Sequence, residues 1–278
     1  MPAADIAHVL GGRRCGNGYV VRCPAHQDRH PSLSLCDGER GLLVKCHAGC
    51  DARDVLAELR RRGLLDLLQE SARRAEGMKG DHERRQRDKA ERLWSQRQPI
   101  VGTAAGRYLC ARGYDAPTPP TIAFLPARDT YPPAMIAAFG MPEEPEPGIL
   151  AAPRSVSAVH LTRLKPDGSD RERGPDAKIM IGRSVGIPIV VAPVNDLFGL
   201  AITEGIEDAL SVHLATGLGA WAAASAGRMP ALADMVPSYV ETVTIFAHPD
   251  KVGQDKAREL ASKLHKRGLE VFIEGIAP

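Results

Sequence analysis

Two apolar runs, each leading to a carboxylate, constrain the fold of this chain more than any other feature. Residues 198–203 (FGLAIT) lead to Glu204, and residues 240–247 (VETVTIFA) lead to Asp250. A helical pattern follows each run, and this order predicts an α/β domain with a parallel sheet. The carboxyl ends of such strands lie along one edge of the sheet, where ligands bind. An acidic edge of this kind is typical of a divalent-metal site that handles phosphates.

The residues around the two carboxylates refine this prediction. Gly205 permits a tight turn from strand to helix and leaves Glu204 at the mouth of the site. Asp208 lies one helical turn further on, where it could face the same site or be an ordinary surface acid. His248 precedes Asp250 by two residues. We predict Glu204 and Asp250 as ligands of Mg²⁺ or Mn²⁺ and as catalytic residues, with Asp208 and His248 as further catalytic candidates.

Five of the six cysteines fall within residues 15–50, which predicts a second metal site. Cys23-x2-His26 and Cys46-x3-Cys50 form two close pairs, and residues 32–36 and 41–45 between them predict a hairpin with its turn at residues 37–38. Such a hairpin would bring the pairs together around a tetrahedral zinc ion. Small modules of this kind often need the metal to fold.

The spacing leaves some ligand choices open. His47 competes with Cys50, because a Cys-x3-Cys pair is looser than the usual Cys-x2-Cys pair. Cys15 and Cys36 are spare cysteines, for which a role as small buried or surface residues is the commoner outcome. Asp51 is predicted to cap a helix over residues 52–62.

The motifs CPAHQDRHPSLSL and VKCHAGC resemble the zinc-binding domain of bacterial and phage DNA primases of the replicative type. The resemblance covers about residues 15–60. It implies that this module helps to recognise a single-stranded DNA template.

Charge and composition divide the chain further. Residues 1–100 hold 19 lysines and arginines against 14 acidic residues, while the remainder holds 17 against 20. A basic front half suits nucleic-acid binding, although a charged helix alone could produce the same excess. We predict a zinc module over 1–70, a flexible or helical charged linker over 71–100, the front of a catalytic core over 101–198 and a metal-binding α/β domain over 199–278.

Sequence features also bear on location and on function classes. The chain shows no signal peptide, and it has no apolar run of 18 or more residues, so a cytoplasmic location is expected. No GxxxxGK[ST] motif occurs, which argues against a P-loop motor. The chain stops just after a predicted strand, and the sequence leaves open whether it is a piece of a longer protein.

The segment before the α/β domain predicts a mixed α+β region. A helix is expected over residues 103–112, and strands over 121–125, 134–139, 149–152, 156–164, 179–181 and 188–192. Four basic residues on or beside these strands are candidates for binding nucleotide or template phosphates, although isolated basic side chains are often simply solvated: Arg163, Lys165, Lys178 and Arg183.

The segments RYLCARG, VHLTRLKPDG, AKIMIG and ITEGIEDALS are similar to primases of phages, plasmids and integrated elements, in which a Toprim domain follows a zinc domain. The Toprim signature is a Glu-Gly turn and, about 45 residues later, an Asp-x-Asp-x-x-Gly turn, matched here by Glu204, Asp250 and Gly253. The resemblance implies synthesis of short RNA primers on single-stranded DNA. It also implies nucleoside triphosphates as substrates, Zn²⁺ with Mg²⁺ or Mn²⁺ as cofactors, and a separate replicative helicase as a partner.

His248 departs from the Toprim pattern, because it stands where the family has its first aspartate. Magnesium prefers oxygen ligands, whereas imidazole suits softer ions such as manganese or zinc. The departure is compatible with lost catalysis, with a softer metal or with an inactivating substitution. Two alternatives to a primase therefore stay open: a catalytically impaired DNA-binding or regulatory protein, and a Toprim nuclease or topoisomerase accessory.

Overall fold

The computed structural model of the protein describes residues 2–38 and 41–275. Its contacts divide the chain into two compact units, Met1–Asp81 and His82–Pro278. Each unit has its own hydrophobic core, and each is described here by itself.

The first unit contains an antiparallel sheet in the order β1-β2-β3-β4. Its core combines the sheet with helix α2, through Val21, Leu33, Leu35, Val55 and Leu59. The elements are α1 (Pro2–Val9), β1 (Arg13–Cys15), β2 (Gly18–Val21), β3 (Leu33–Gly38), β4 (Gly41–Cys46) and α2 (Ala52–Arg61).

The predicted hairpin is present as β3 and β4, which pair over their whole length. β3 runs on through Asp37 and Gly38, so these residues do not form the turn. The connection falls on residues 39–40, outside the described part of the chain. The predicted helix after Asp51 is also present, as α2. Asp51 caps it, because its carboxylate accepts a hydrogen bond from the Arg53 backbone N–H at 2.8 Å. The sequence patterns did not predict α1, β1 or β2.

The charged stretch that was predicted as a flexible or helical connector is one long helix, α3 (Asp66–Ser95). Gly80 does not interrupt it, since glycine lowers helix stability without forbidding the conformation. Ala90 and Trp94 near its end are buried in the second unit. The Trp94 indole N–H donates to the Pro153 carbonyl at 2.9 Å, which fixes the end of the helix.

The second unit begins with α4 (Ala104–Ala111) and an antiparallel sheet in the order β5-β6-β7-β8. The strands are β5 (Ile122–Leu125), β6 (Ala134–Phe139), β7 (Ala158–Arg163) and β8 (Lys178–Gly182). The predicted strand over residues 149–152 is wrong. The Ile149 N–H donates to Glu146 and the Ala151 N–H to Glu143, so this segment bonds to the preceding loop instead of to a sheet.

A five-stranded sheet completes the second unit, in the order β13-β12-β10-β11-β9. All pairs are parallel except β9 with β11, which confirms the predicted α/β fold. The elements are β9 (Ile189–Ala192), β10 (Gly199–Thr203), α5 (Ile206–Thr216), β11 (Gly219–Ala222), a 3₁₀ helix (Ala226–Met235), β12 (Thr242–Ala247), α6 (Lys251–Lys266) and β13 (Glu270–Gly275).

Within the described residues, none of the helices combines the length and the apolar character needed to cross a bilayer.

Candidate functional site

The first site is a cluster of four metal-ligating side chains, here called the zinc cluster: Cys23, His26, Cys46 and Cys50. Their ligand atoms all lie within 4.8 Å of one another. The His26 Nδ1 atom is 3.1 Å from the Cys50 sulfur and 4.0 Å from the Cys46 sulfur. Three thiolates and one imidazole nitrogen at this spacing fit a tetrahedral zinc ion.

The strand pairing explains how distant residues meet in the zinc cluster. Cys46 ends β4 and is the register partner of Leu33 at the start of β3. Cys23 follows β2, which pairs with β3 on its other side. Cys50 lies just before Asp51, the residue that caps α2. The sheet therefore delivers the first Cys-His pair and the second cysteine pair to the same place.

The rival ligands lie elsewhere. The Nε2 atom of His47 is hydrogen-bonded to the Ser34 hydroxyl at 2.9 Å, and His47 is not a member of the cluster. Cys15 is exposed and Cys36 is half-buried, and neither belongs to the cluster. The structure thus selects Cys50 over His47 as the fourth ligand.

Asp28 organises the zinc cluster, and the sequence reasoning missed it. Its carboxylate accepts hydrogen bonds from the Cys23 N–H at 2.7 Å and from the Ser32 hydroxyl at 2.6 Å. It also lies 3.6 Å from the Nε2 atom of His26, the nitrogen that faces away from the thiols. The bond from the Cys23 N–H, followed by those from Ser32, lowers the pKa of Asp28 to about 2. A carboxylate in this position orients the histidine for its ligand.

The three thiols differ in how readily they ionise. Burial raises the pKa of Cys23 to about 12 and also raises that of Cys50. Burial acts the same way on Cys46, but the backbone N–H groups of Cys50 and Ala48 and the hydroxyl of Ser32 outweigh it and lower its pKa to about 7. The hydrogen-bond donors around Cys46 thus favour its thiolate, the form that binds a metal.

The second site lies at the carboxyl edge of the five-stranded sheet, here called the acidic edge. Glu204 follows β10 directly, and the Thr203 hydroxyl donates to the Gly205 carbonyl at 2.7 Å to hold the turn. Asp250 follows β12 and caps α6, because one of its oxygens accepts from the Gly253 N–H at 2.7 Å. β10 and β12 are parallel neighbours in register, so both carboxylates lie at the same edge.

Asp208 and His248 form an ion pair at the acidic edge when the imidazole is protonated. The Asp208 oxygen lies 3.3 Å from the Nε2 atom of His248 and also accepts from the Gly205 N–H at 3.2 Å. Asp208 thus faces the residue that departs from the Asp-x-Asp-x-x-Gly pattern. Its carboxylate is committed to this contact and to the turn.

The acidic edge does not form a tight metal cluster. Among the side chains that the structure describes, the zinc cluster is the one group of three or more cysteine, histidine or acidic residues with its ligand atoms gathered. Glu204 and Asp250 carry oxygen donors of the type that Mg²⁺ and Mn²⁺ prefer, and His248 carries a nitrogen donor of a type that fits manganese better than magnesium.

The four predicted basic residues differ in the side chains that they contact. Lys178, on β8, reaches Glu207 on α5 at 3.5 Å. Arg163 lies 3.8 Å from Asp176 and packs over the Tyr131 ring, in the wall of an apolar groove of about 430 Å³. Lys165 lies in the turn after β7, and Arg183 is exposed just beyond β8. Of the four, Lys178 contacts the helix that begins at the acidic edge.

Glu207 joins three parts of the second unit, and the sequence reasoning missed it. One of its oxygens accepts from the Tyr108 hydroxyl at 2.7 Å, and the other faces Lys178. Burial would raise the pKa of Glu207, but the charge of Lys178 and the bond from Tyr108 outweigh it and hold the pKa below its usual value. Each of the three residues in this contact comes from a motif noted in the sequence: Tyr108 from RYLCARG, Lys178 from AKIMIG and Glu207 from ITEGIEDALS. The occurrence of these motifs together in one chain was the sequence signal available for this contact.

Comparisons with known proteins identify part of the second unit. Residues 199–274 match the Toprim domain family, and residues 84–190 match a domain of unknown function (DUF7146). A comparison with curated proteins finds no match. Among solved structures, the chain matches the crystal structure of the Aquifex aeolicus primase (zinc-binding and RNA polymerase domains) at 16% identity and a TM-score of 0.45, over 99% of this chain and 77% of that chain.

The C-terminal sheet with its acidic edge is therefore a Toprim domain. Together with the zinc cluster, it confirms the combination that the resemblance to primases predicted, a zinc-binding group and a Toprim domain on one chain.

Proposed function

We propose that this protein is a DNA primase that synthesises short RNA primers on single-stranded DNA. The observation that carries the proposal is the occurrence of the zinc cluster and a Toprim domain on one chain. We assign it to the replication of a phage, plasmid or integrated element in the cytoplasm, alongside a separate replicative helicase.

In this proposal the zinc module binds the template and the Toprim domain carries the reaction. Glu204 and Asp250 would hold Mg²⁺ or Mn²⁺. When bound, such an ion offsets the negative charge that develops during phosphoryl transfer. Lys178, held by Glu207, contributes a fixed positive charge toward the phosphates of the incoming nucleotide.

Primer synthesis on a single-stranded template, measured separately with Mg²⁺ and Mn²⁺, tests the proposal. We expect Mn²⁺ to support more product than Mg²⁺, because His248 suits the softer ion. The variant His248→Asp should shift the preference toward Mg²⁺, by on the order of 10-fold in product formed. The variant Glu204→Gln should lose product with both ions, since it removes a charged ligand. The absence of any primer from the wild-type protein and from His248→Asp would refute the catalytic assignment.

A catalytically impaired DNA-binding or regulatory protein is the second candidate. The contact between His248 and Asp208 favours it, because this contact engages a carboxylate that a two-metal site would otherwise use. This alternative predicts binding of single-stranded DNA that needs zinc and survives Glu204→Ala. Nicking of a supercoiled plasmid in the same preparations would instead indicate a Toprim nuclease.

A further inference from the structure

The apolar groove beside Arg163 lies on the face of the antiparallel sheet that points away from the Toprim domain. Leu161 and Ile181 line it, and both belong to the core that this sheet forms with the end of α3. Ala158, three positions before Leu161 on β7, packs instead in the core that includes Ala209 of α5. Successive side chains of a strand point to opposite faces, so the groove is separate from the acidic edge.

The lining of this groove combines an apolar floor with positive charge. Its volume of about 430 Å³ lies in the range of about 300 to 1,000 Å³ that is usual for ligand pockets. Five aliphatic side chains form much of its surface: Leu93, Leu125, Leu161, Ile179 and Ile181. Lys89, Arg128 and Arg163 supply three positive charges, and none of the lining residues that the structure describes is acidic. Asp176, 3.8 Å from Arg163, is 77% exposed and offsets that charge only weakly.

Tyr131 stands at the rim of the groove and is 59% exposed, with the Arg163 guanidinium 5.9 Å from the centre of its ring. The turn that carries Tyr131 is rigid. Arg128 and Tyr131 exchange two backbone hydrogen bonds, of 3.1 and 2.8 Å, around Asp129, which has a φ of 51°. Two prolines follow Tyr131 and restrict the backbone further. An aromatic side chain on such a turn loses little freedom when a ligand stacks on it.

The groove continues into a wider hollow of about 880 Å³. Tyr131 and Arg163 line both spaces and therefore form the wall between them. Three arginines and three acidic residues line the hollow, so its charges balance and the attraction for an anion comes from the groove. Two spaces that share a wall fit an extended chain better than a compact ligand.

We infer that the apolar groove binds a single strand of DNA, with a base stacked on Tyr131 and the phosphates near the three cations of its lining. Proteins that bind single strands combine a positively charged groove with aromatic side chains on which bases stack. The inference rests on the proposed function, which supplies the DNA strand. It also assigns a role to the domain of unknown function, because every lining residue falls within residues 84–190.

Binding of a fluorescein-labelled oligothymidine to the full-length, zinc-loaded protein, measured by fluorescence anisotropy, tests the inference without any turnover. In Tyr131→Ala we expect the Kd to rise by about 5- to 100-fold, because a stacking contact with a base is lost. Tyr131→Phe should keep the Kd within about twofold, since stacking needs the ring and not the hydroxyl. Tyr239→Ala is the matched control, because Tyr239 is 54% exposed and lies outside the groove.

The cations of the groove give a second readout. For single strands, the logarithm of the binding constant falls with the logarithm of the salt concentration by about 0.7 for each phosphate that the protein neutralises. Lys89→Gln and Arg128→Gln should therefore each make this slope shallower by about 0.7. Arg258→Gln, which changes an exposed arginine on α6, should leave the slope unchanged. These slopes decide the question if Tyr131→Ala fails to fold.

Photocrosslinking locates the contact directly. An oligothymidine that carries 5-iodouracil should crosslink to Tyr131 under ultraviolet light, and mass spectrometry identifies the modified peptide. Such a crosslink separates stacking on the ring from an indirect effect of its loss. Crosslinks confined to other parts of the chain would count against the groove.

Unchanged DNA affinity in folded Tyr131→Ala would overturn the inference, and so would an equal loss in Tyr239→Ala. A polyglutamate peptide that binds the wild type but not Arg128→Gln, alongside unchanged DNA binding in that variant, would identify a site for an acidic protein and also overturn it. Primer synthesis is a separate measurement. A protein that binds DNA through Tyr131 without making primers would refute the primase proposal and leave this site intact, whereas primer synthesis with normal DNA binding in Tyr131→Ala would do the reverse.

Discussion

The two candidate metal sites of this chain differ in whether their ligand atoms are already gathered around one point. In the zinc cluster, four ligand atoms already lie within 4.8 Å of one another, and Asp28 orients the histidine. At the acidic edge, Asp250 caps a helix and Asp208 faces His248, so the carboxylates are engaged in the protein's own contacts. We expect the first arrangement to need its ion for stability, whereas the second is held together by the protein's own hydrogen bonds.

Removal of zinc should give the largest effect and should be confined to the first unit. Chelation, or the variant Cys46→Ser, is expected to unfold this unit, because thiols and imidazole no longer hold its strands together. Both tryptophans, Trp94 and Trp221, belong to the second unit. Circular dichroism should therefore change while tryptophan fluorescence does not. Cys15→Ser is the control, and a loss of both signals together would contradict the separation.

Acidification should destabilise the second unit through His160. The folded pKa of His160, about 4, lies below its unfolded value of 6.5, so the unfolded chain binds more protons between these values. The free energy of unfolding should fall by about 3 kcal/mol as the pH drops from 6.5 to 4. The pKa of His160 also responds to three nearby charges: Lys178 and Arg228 lower it, and Glu207 raises it.

Denaturant titration followed by tryptophan fluorescence measures this dependence on pH. His160→Leu should flatten the curve between pH 6.5 and 4, whereas His265→Gln, on the exposed face of α6, should not. Identical slopes in the wild type and His160→Leu would show that other groups control the acid stability of this unit.

Loss of Asp28 should have a smaller effect, which concerns the affinity of the zinc cluster for its ion. Asp28→Ala removes the acceptor for the Cys23 N–H and the partner of His26. We expect the affinity for zinc to fall by about 10- to 100-fold, as is typical when a residue that orients a metal ligand is lost. Competition with a chromogenic chelator measures it, with Asp5→Ala as the control. An unchanged affinity would mean that the strands alone position the ligands.

The smallest expected effect concerns the contact between Tyr108 and Glu207. Tyr108→Phe leaves a largely buried carboxylate with one acceptor unsatisfied, so the free energy of unfolding should fall by about 1 to 3 kcal/mol. Fluorescence-detected denaturation of Tyr108→Phe, Glu207→Gln and the double variant gives the coupling energy of the pair. If the losses in the two single variants simply add up to the loss in the double variant, the hydrogen bond contributes nothing beyond the separate side chains.

The sequence revealed those parts of the molecule that depend on local spacing. Cys23, His26, Cys46 and Cys50 were recognisable because two close pairs flank a hairpin, and β10 and β12 because each apolar run leads to a carboxylate. The strand expected over residues 149–152 was wrong, because an apolar run becomes a strand only where a neighbouring strand can pair with it.

Contacts between distant segments could not be found in this way. Tyr108 and Glu207 are 99 positions apart, and neither has a local pattern that identifies its partner. Arg228 appears ordinary in the sequence and becomes unusual only when the strands place its Nη2 atom in a buried environment without an acceptor. Asp28 did lie in a visible motif, but its role depends on the fold of the loop around His26.

The outer strand β13 has a consequence for solubility. Phe272 and Ile273 are 48% and 38% exposed on this strand, and an apolar strand at the edge of a sheet can pair with a strand of another molecule. Glu270 and Glu274 lie on the same strand and bring two negative charges to that edge. Two copies that approach each other through β13 would bring these like charges together, so we expect the acidic side chains to oppose pairing of this strand with a second copy.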